Sequence, residues 1–132
     1  MGNLELRTLD WDVNIDVSLK SGITVLLEDS GVGKSFLFSL ICGYFSDKSQ
    51  SCCLINSANC SGIKHIDPCD ILLLDNLDLY YTSDFIKSCY DNCKYILCST
   101  KQFISVKNVP MHSGIFEASQ NLLKVRSLDV YI

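Results

Sequence analysis

Proline and glycine are scarce in this sequence, which has two prolines and seven glycines among 132 residues. Hydrophobic residues make up 48% and charged residues 20% of the chain. This composition excludes a collagen-like chain and a mostly disordered one, so we expect a packed globule. The length fits one domain that covers residues 1–132 around a single core.

Positive charge is also scarce. Eleven lysines and arginines stand against fifteen aspartates and glutamates, which gives a net charge of -4. No run of basic residues is present. Because nucleic acid and anionic lipid are bound through clustered positive charge, we expect no nucleic-acid partner.

Long hydrophobic runs are absent. The longest one, Phe36 to Phe45, is interrupted by Ser39 and Gly43 and is about half as long as a membrane-spanning helix. We therefore expect no membrane insertion. The first ten residues contain one basic residue and no apolar stretch before a small-residue cleavage site, so we expect no secretory or transit leader and a cytoplasmic protein.

The eight cysteines lack the CxxC spacing of structural zinc sites. Several lie inside apolar segments, which predicts reduced core thiols rather than disulfides. The nearest metal-like grouping is Cys52, Cys53, Cys60, His65 and Cys69, and its spacing does not favour zinc.

The hydrophobic pattern predicts alternating strands and helices. Alternation of Ile15, Val17 and Leu19 predicts a half-buried strand over 14–19, and a turn at 20–22 leads into an apolar central strand over 23–27. The segment 34–45 predicts a helix that is covered on several sides. Further predictions are a short strand over 52–56 and buried strands over 71–74 and 95–99. A helix is predicted from Thr82, Ser83 or Asp84 to about Cys93, followed by a hairpin formed by 114–118 and 122–125 and a last short strand near Val130. The expected fold class is therefore α/β, a mostly parallel sheet flanked by helices on both faces, with a C-terminal β-hairpin.

A glycine-containing loop separates the strand over 23–27 from the first helix, and Glu28 to Ser35 reads EDSGVGKS. Gly31 and Gly33 allow consecutive backbone amides to face an anion at a helix N-terminus. The Lys34 ammonium group can reach the β- and γ-phosphates, and the Ser35 hydroxyl can bind magnesium. The pattern is GxxxxGK[ST], with Glu28 in place of the first glycine. Predicted nucleotide-binding residues are Ser30, Gly31, Val32, Gly33, Lys34, Ser35, Phe36 and Thr100.

A second motif, ILLLD over 71–75, is a buried strand that ends in a carboxylate. Such a strand can deliver Asp75 beside the phosphate loop. The predicted metal ligands are therefore Ser35 and Asp75, and the predicted metal is Mg²⁺.

Together, EDSGVGKS and ILLLDN resemble the Walker A and Walker B motifs of P-loop nucleoside triphosphatases. The strand over 52–56 between the two motifs, and the lead-in VSLKSGITVLL at 17–27, are similar to ATP-binding cassette and AAA-type ATPases. The segment ILCSTK at 96–101 resembles the strand that carries a γ-phosphate sensor in those families, which implies that role for Ser99 or Thr100. The resemblance implies a P-loop NTPase fold, with ATP and Mg²⁺ as cofactors.

The chain also departs from these families. A signature LSGGQ motif is absent. Asn76 stands where the family has a catalytic glutamate, and an amide cannot accept a proton from water. Lys101 stands where the cassette ATPases have a switch histidine. Asp78 or Glu28 can act as a substitute base. Asn76 and Asp78 are thus the predicted catalytic positions, and we expect hydrolysis to be weak or to depend on a partner.

The expected nucleotide is ATP rather than GTP. EDSGVGKS also resembles the phosphate loop of Rab-like small GTPases, but a guanine-reading NKxD motif is absent. Trp11 is either a base-stacking residue or a core residue. Arg7 and Arg126 are the two arginines, so we expect an arginine finger to come from a protein partner or a second copy of the chain. Two alternatives stay open: a degenerate interaction module that has lost nucleotide binding, and a small-molecule kinase.

Overall fold

The computed structural model describes residues 3–10, 13–27, 34–47, 51–60 and 66–131. These residues form eight strands, two α-helices and one short 3-10 helix. The strands are β1 (Leu4–Asp10), β2 (Val13–Leu19), β3 (Gly22–Leu27), β4 (Cys52–Ile55), β5 (Cys69–Leu74), β6 (Cys93–Thr100), β7 (Met111–Ser119) and β8 (Leu122–Tyr131). The helices are α1 (Lys34–Asp47), α2 (Ser83–Asn92) and the 3-10 helix at Leu77–Leu79.

All eight strands belong to one mixed sheet in the order β1-β2-β8-β7-β3-β6-β5-β4. The five strands β7, β3, β6, β5 and β4 run parallel to one another, with β3 between β7 and β6. The other end of the sheet changes direction: β8 is antiparallel to β7, β2 is parallel to β8, and β1 is antiparallel to β2. The sheet therefore has two parts: a parallel part formed by β7, β3, β6, β5 and β4, and a mixed edge formed by β1, β2 and β8.

The predicted fold class, a mostly parallel helix-flanked sheet with a P-loop NTPase fold, is wrong. The chain is dominated by strands in a curled mixed sheet, and the described residues contain two α-helices. Helices occur in the connections from β3 to β4 and from β5 to β6. The connection from β6 to β7 is instead an irregular segment over 101–110, in which Ile104 and Val106 are buried against the sheet. In this connection, irregular chain rather than a helix covers apolar surface of the sheet.

The core lies on the two faces of the sheet. On one face, Phe85, Ile86 and Cys89 of α2 pack on alternate residues of the parallel strands, such as Leu72 and Ile96. On the other face, α1 packs against the intervening residues of these strands and against the inward residues of the mixed edge. The members of this second cluster include Leu37, Phe38 and Ile41 of α1, Ile71 and Leu73 of β5, and Leu6, Ile15, Val17, Leu123 and Val125 of the mixed edge. The mixed edge therefore contributes to the same core as α1.

Several local predictions are confirmed. Ile15, Val17 and Leu19 alternate with less buried residues along β2. The Thr82 hydroxyl accepts a hydrogen bond from the Phe85 amide at 3.1 Å and caps α2, because this oxygen satisfies an amide left unpaired by the helix. The predicted hairpin is formed by β7 and β8.

Other local predictions are corrected. Helix α1 is covered on one side rather than on several, and Phe36 on its outer side is 48% exposed. The short strand expected near Val130 is the end of the long strand β8. Strand β1 was missed, although Leu4 and Leu6 follow the period of two that a half-buried strand requires. Within the described residues, no helix has the length and hydrophobicity needed to cross a membrane.

Candidate functional site

The candidate site lies at the carboxyl ends of three parallel strands. After β3 the chain passes β6 and β5 and joins the sheet again as β4, at the far edge. After β6 the chain passes β3 in the opposite direction and joins the sheet again as β7. The connections that leave the neighbouring strands β3 and β6 therefore run in opposite directions. A crevice opens at such a switch point, and ligands of open α/β sheets bind there.

Asp75 is the centre of the polar contacts at this edge. It follows β5 directly and is 8% exposed. Its Oδ2 accepts a hydrogen bond from Ser35 Oγ at 2.5 Å, and its Oδ1 accepts one from Ser99 Oγ at 2.9 Å. Two hydroxyls that lie 40 and 24 residues away in the chain thus hold both oxygens of one buried carboxylate. Buried carboxylates require such partners, because an unpaired charge in the interior is costly.

The backbone after Asp75 is fixed by a sharp turn. Asn76 adopts the left-handed conformation with φ 54° and ψ 50°, which asparagine tolerates better than most residues. Its amide donates to Ser99 Oγ at 2.9 Å. The Tyr80 hydroxyl lies 2.9 Å from the Asp75 carbonyl oxygen and 3.1 Å from the Ile55 carbonyl oxygen, and burial raises the pKa of Tyr80. These contacts hold the Asp75 backbone between β4 and β6.

A small cavity of about 40 Å³ lies beside these groups. It is large enough for one water molecule or one cation, since a water occupies about 30 Å³ in the liquid. Among the described residues, its lining is formed by Lys34, Ser35, Asp75, Asn76, Ser99, Thr100 and Lys101. Lys34 is the first residue of α1 and is 5% exposed, so a cationic side chain, a carboxylate and several hydroxyls converge on one space.

The remaining predicted residues lie farther from this cavity or use their polar groups elsewhere. Thr100 lines the cavity, but its hydroxyl donates to the Gln102 carbonyl oxygen at 2.8 Å. Asp78 accepts a hydrogen bond from the Lys101 amide at 3.2 Å and is not part of the cavity lining in the described chain. Phe36 points away from the core in the first turn of α1.

Some predicted residues lie outside the described residues. They are Trp11, Glu28, Ser30, Gly31, Val32, Gly33 and His65. The predictions for them therefore stay predictions. Among the residues that the structure does describe, no group of three histidine, cysteine, aspartate or glutamate side chains is arranged to hold a metal ion.

Large apolar side chains are exposed at the same end of the sheet as the cavity. They follow or flank the carboxyl ends of β3, β5 and β6, and they are Leu27, Phe36, Leu79 and Phe103, with exposures of 47%, 48%, 64% and 62%. We call these four residues the apolar rim. An apolar rim around a polar cavity is typical of surfaces that contact other molecules.

Sequence reasoning missed two features of the site. One is the double role of Ser99, which joins the Asp75 carboxylate to the Asn76 amide. The other is Tyr80, which holds the Asp75 carbonyl group. For Ser99, its position at the end of a buried strand was a usable signal. For Tyr80 the sequence offered no such signal, because the 3-10 helix that brings its hydroxyl to the Asp75 carbonyl oxygen was not predicted.

Comparison of the chain with protein-family models, with curated proteins and with solved structures found no match. The geometry of this edge of the sheet is therefore the basis for assigning a function.

Proposed function

We propose that this chain binds a nucleoside triphosphate together with Mg²⁺ at the carboxyl ends of β3, β5 and β6. The contact between Ser35 and Asp75 carries the proposal, because it joins the last residue of EDSGVGKS to the carboxylate of ILLLD. Both motifs suggested a magnesium ligand independently, and the two oxygen atoms are 2.5 Å apart.

The donor set suits magnesium. Mg²⁺ prefers hard oxygen ligands and usually takes one or two carboxylates, with water and phosphate oxygens in the other positions. Ser35 supplies a hydroxyl and Asp75 a carboxylate beside a cavity of about 40 Å³. When bound, the cation neutralises charge on the phosphate oxygens. The Ser99 hydroxyl keeps the Asp75 carboxylate in a fixed orientation through the hydrogen bond at 2.9 Å.

The cationic side chains suit phosphate. Lys34 and Lys101 both line the cavity, and Lys34 lies at the N-terminus of the 14-residue helix α1. A helix N-terminus carries partial positive charge and unpaired amides, which favour an anion. A nearly buried ammonium group interacts with phosphate more strongly than an exposed one, because the local dielectric constant is lower.

The same residues favour slow hydrolysis. Asn76 lines the cavity, but its side-chain amide cannot accept a proton from an attacking water. Asp78 has the chemistry of a base, yet its carboxylate is engaged with the Lys101 backbone. We therefore propose ATP binding with hydrolysis that is weak or depends on a partner. ATP is preferred to GTP because the sequence has no NKxD motif.

Titration calorimetry with Mg-ATP tests this proposal. Replacing Lys34 with methionine keeps most of the buried stem and removes the charge. We expect the affinity to fall by a factor of about 10 to 100, since a hydrogen bond to a charged group contributes about 1.5–3 kcal/mol. Lys107→Met is the matched control, because Lys107 is exposed and does not line the cavity. Equal affinities of the two variants, or no binding by the wild type, would contradict the proposal.

A second candidate function is a protein-binding module without nucleotide. The apolar rim favours it, because four large hydrophobic side chains are exposed at one end of the sheet. This candidate predicts that Mg-ATP does not bind and that the chain self-associates through the rim. Sedimentation velocity over a range of concentrations tests it: the double variant Phe36→Ser, Phe103→Ser should be less associated than the wild type, and an unchanged profile would exclude this role for the rim.

A further inference from the structure

Two thiols face each other at the opposite end of the strands that hold Asp75 and Ser99. Cys69 is the first residue of β5 and Cys93 is the first residue of β6. The two residues are register partners in the parallel sheet, and their Sγ atoms are 3.4 Å apart. Both are free thiols. This is a contact distance for two thiols, so closure to a disulfide requires a short movement of the sulfur atoms.

The backbone spacing permits a bond between them. Neighbouring strands lie about 4.8 Å apart, and disulfides span Cα separations of about 4.4 to 6.8 Å. The sulfur atoms must approach to about 2.05 Å, which rotation about χ1 can provide. Each cysteine begins its strand: Cys69 directly follows Pro68, and Cys93 directly follows α2. The residues that precede the two cysteines are therefore not held by strand pairing in the sheet.

The thiol pair lies beside a cavity that opens to solvent. Cys93 lines an open surface cavity of about 530 Å³, together with Tyr90, Lys94 and His112. This volume lies in the range of small-molecule sites, which is about 300–1,000 Å³. Cys69 and Cys93 themselves are 8% and 7% exposed. A small reagent that enters this cavity therefore lies next to residue Cys93 in the folded chain.

The pair is also chemically asymmetric. The hydrogen bond between the two thiols lowers the pKa of Cys93, while the same contact and burial raise the pKa of Cys69. The thiolate is the nucleophile in disulfide exchange, so Cys93 is suited to react first and Cys69 second.

We propose that Cys69 and Cys93 form a redox-active dithiol that a low-molecular-weight disulfide oxidises to an intrachain disulfide. The Cys93 thiolate attacks one sulfur of oxidised glutathione, a mixed disulfide forms, and one glutathione thiolate leaves. Cys69 loses its proton to solvent and attacks the Cys93 sulfur, and the second glutathione thiolate leaves. The chain loses two electrons and two protons, and the glutathione disulfide is reduced to two thiols. This proposal is independent of nucleotide binding.

Cys53 is the rival partner, since it also interacts with Cys69. Its register partner on β5 is Leu72, three residues beyond Cys69. Three residues of strand span about 10 Å, so the Cα separation exceeds the limit of about 7 Å for a disulfide. The register therefore selects Cys93 over Cys53.

Disulfide mapping of the full chain tests the proposal. The reduced protein is incubated with oxidised glutathione at neutral pH, alkylated with N-ethylmaleimide, digested with trypsin and analysed by mass spectrometry. In the wild type we expect a link between tryptic peptides 65–87 and 88–94 in most chains, with fragmentation assigning it to Cys93 rather than Cys89. Intact mass should fall by about 2 Da, because two hydrogens are lost.

Two variants sharpen the result. Cys53→Ser should keep the link, because Cys53 is exposed and lies out of register. Cys93→Ser should abolish it and leave Cys69 alkylated. The wild-type map decides the matter even if a variant fails to fold. Alkylated Cys69 in most wild-type chains, a stable glutathione adduct on Cys93 without the link, or a link from Cys69 to Cys53 would each overturn the proposal.

Discussion

Replacing Ser99 with alanine removes the hydroxyl that connects the candidate site. Ser99 is 2% exposed, donates to Asp75 Oδ1 at 2.9 Å and accepts from the Asn76 amide at 2.9 Å. The variant leaves two polar groups in the interior without this partner. An unsatisfied buried group costs about 1–3 kcal/mol, so with two such groups the free energy of unfolding should fall by about 2–6 kcal/mol. The lower part of this range applies if a water from the adjacent cavity replaces the hydroxyl.

Urea denaturation measures this loss, and the slope of the transition should not change, because the same surface is exposed on unfolding. Ser39→Ala is the matched control, since Ser39 is exposed on α1 and its replacement should change stability by less than about 0.5 kcal/mol. Ser99→Thr keeps the hydroxyl and should retain more stability than Ser99→Ala. A loss below about 0.5 kcal/mol for Ser99→Ala would refute the view that this hydroxyl holds the carboxylate and the turn together.

Two further predictions concern packing and pH. A Cβ atom at Gly114 would lie 2.6 Å from Thr24 Cγ2, so Gly114→Ala should lower the free energy of unfolding by about 1–3 kcal/mol. A Cβ atom at Gly43 would meet nothing within 4 Å, so Gly43→Ala should stabilise α1 by up to about 1 kcal/mol. Urea denaturation of both variants checks these values. Burial raises the pKa of Cys89 from 9.0 to about 12. Above pH 9 the unfolded chain therefore binds fewer protons than the folded chain, and stability that is present below pH 9 is lost as the pH rises towards 12. Between about pH 8 and pH 10, under reducing conditions, the wild type should lose about 1.4 kcal/mol more than Cys89→Ala, and equal losses would contradict the assigned burial effect.

Local structure was largely predictable from the sequence, because it depends on neighbouring residues. The alternation of Ile15, Val17 and Leu19 identified β2, and the hydroxyl of Thr82 before Phe85 marked the start of α2. These signals reflect the periods of strands and helices and the need to cap unpaired amides.

The arrangement of the strands was not predictable in the same way. The pattern of β2 shows which residues are buried but not which strands are its neighbours, and in the structure these are β1 and β8. Pairing between Val17 and Val125, which lie far apart in the chain, leaves no local trace. This is why the mixed edge was missed and why the expected helix-flanked sheet was wrong.

The candidate site was partly predictable. Ser35 and Asp75 were both expected near a bound cation, and the structure brings them into hydrogen-bond contact. That expectation followed from the two motifs EDSGVGKS and ILLLD, each of which suggested one magnesium ligand. The role of Ser99 between Asp75 and Asn76 depends on the left-handed turn at Asn76, whose conformation the sequence did not indicate.

We propose that Lys34, Ser35 and Asp75 together hold a magnesium-bound triphosphate, and a thermal melting scan can show whether they do. A ligand that binds the folded chain stabilises it by about 2.7 kcal/mol at about 100 times its dissociation constant. We expect Mg-ATP to raise the melting temperature of the wild type, ATP with a chelator to raise it less, and Asp75→Asn to abolish this difference. A melting temperature that is unchanged by Mg-ATP, or raised equally with and without magnesium, would mean that these residues do not bind a magnesium-bound triphosphate.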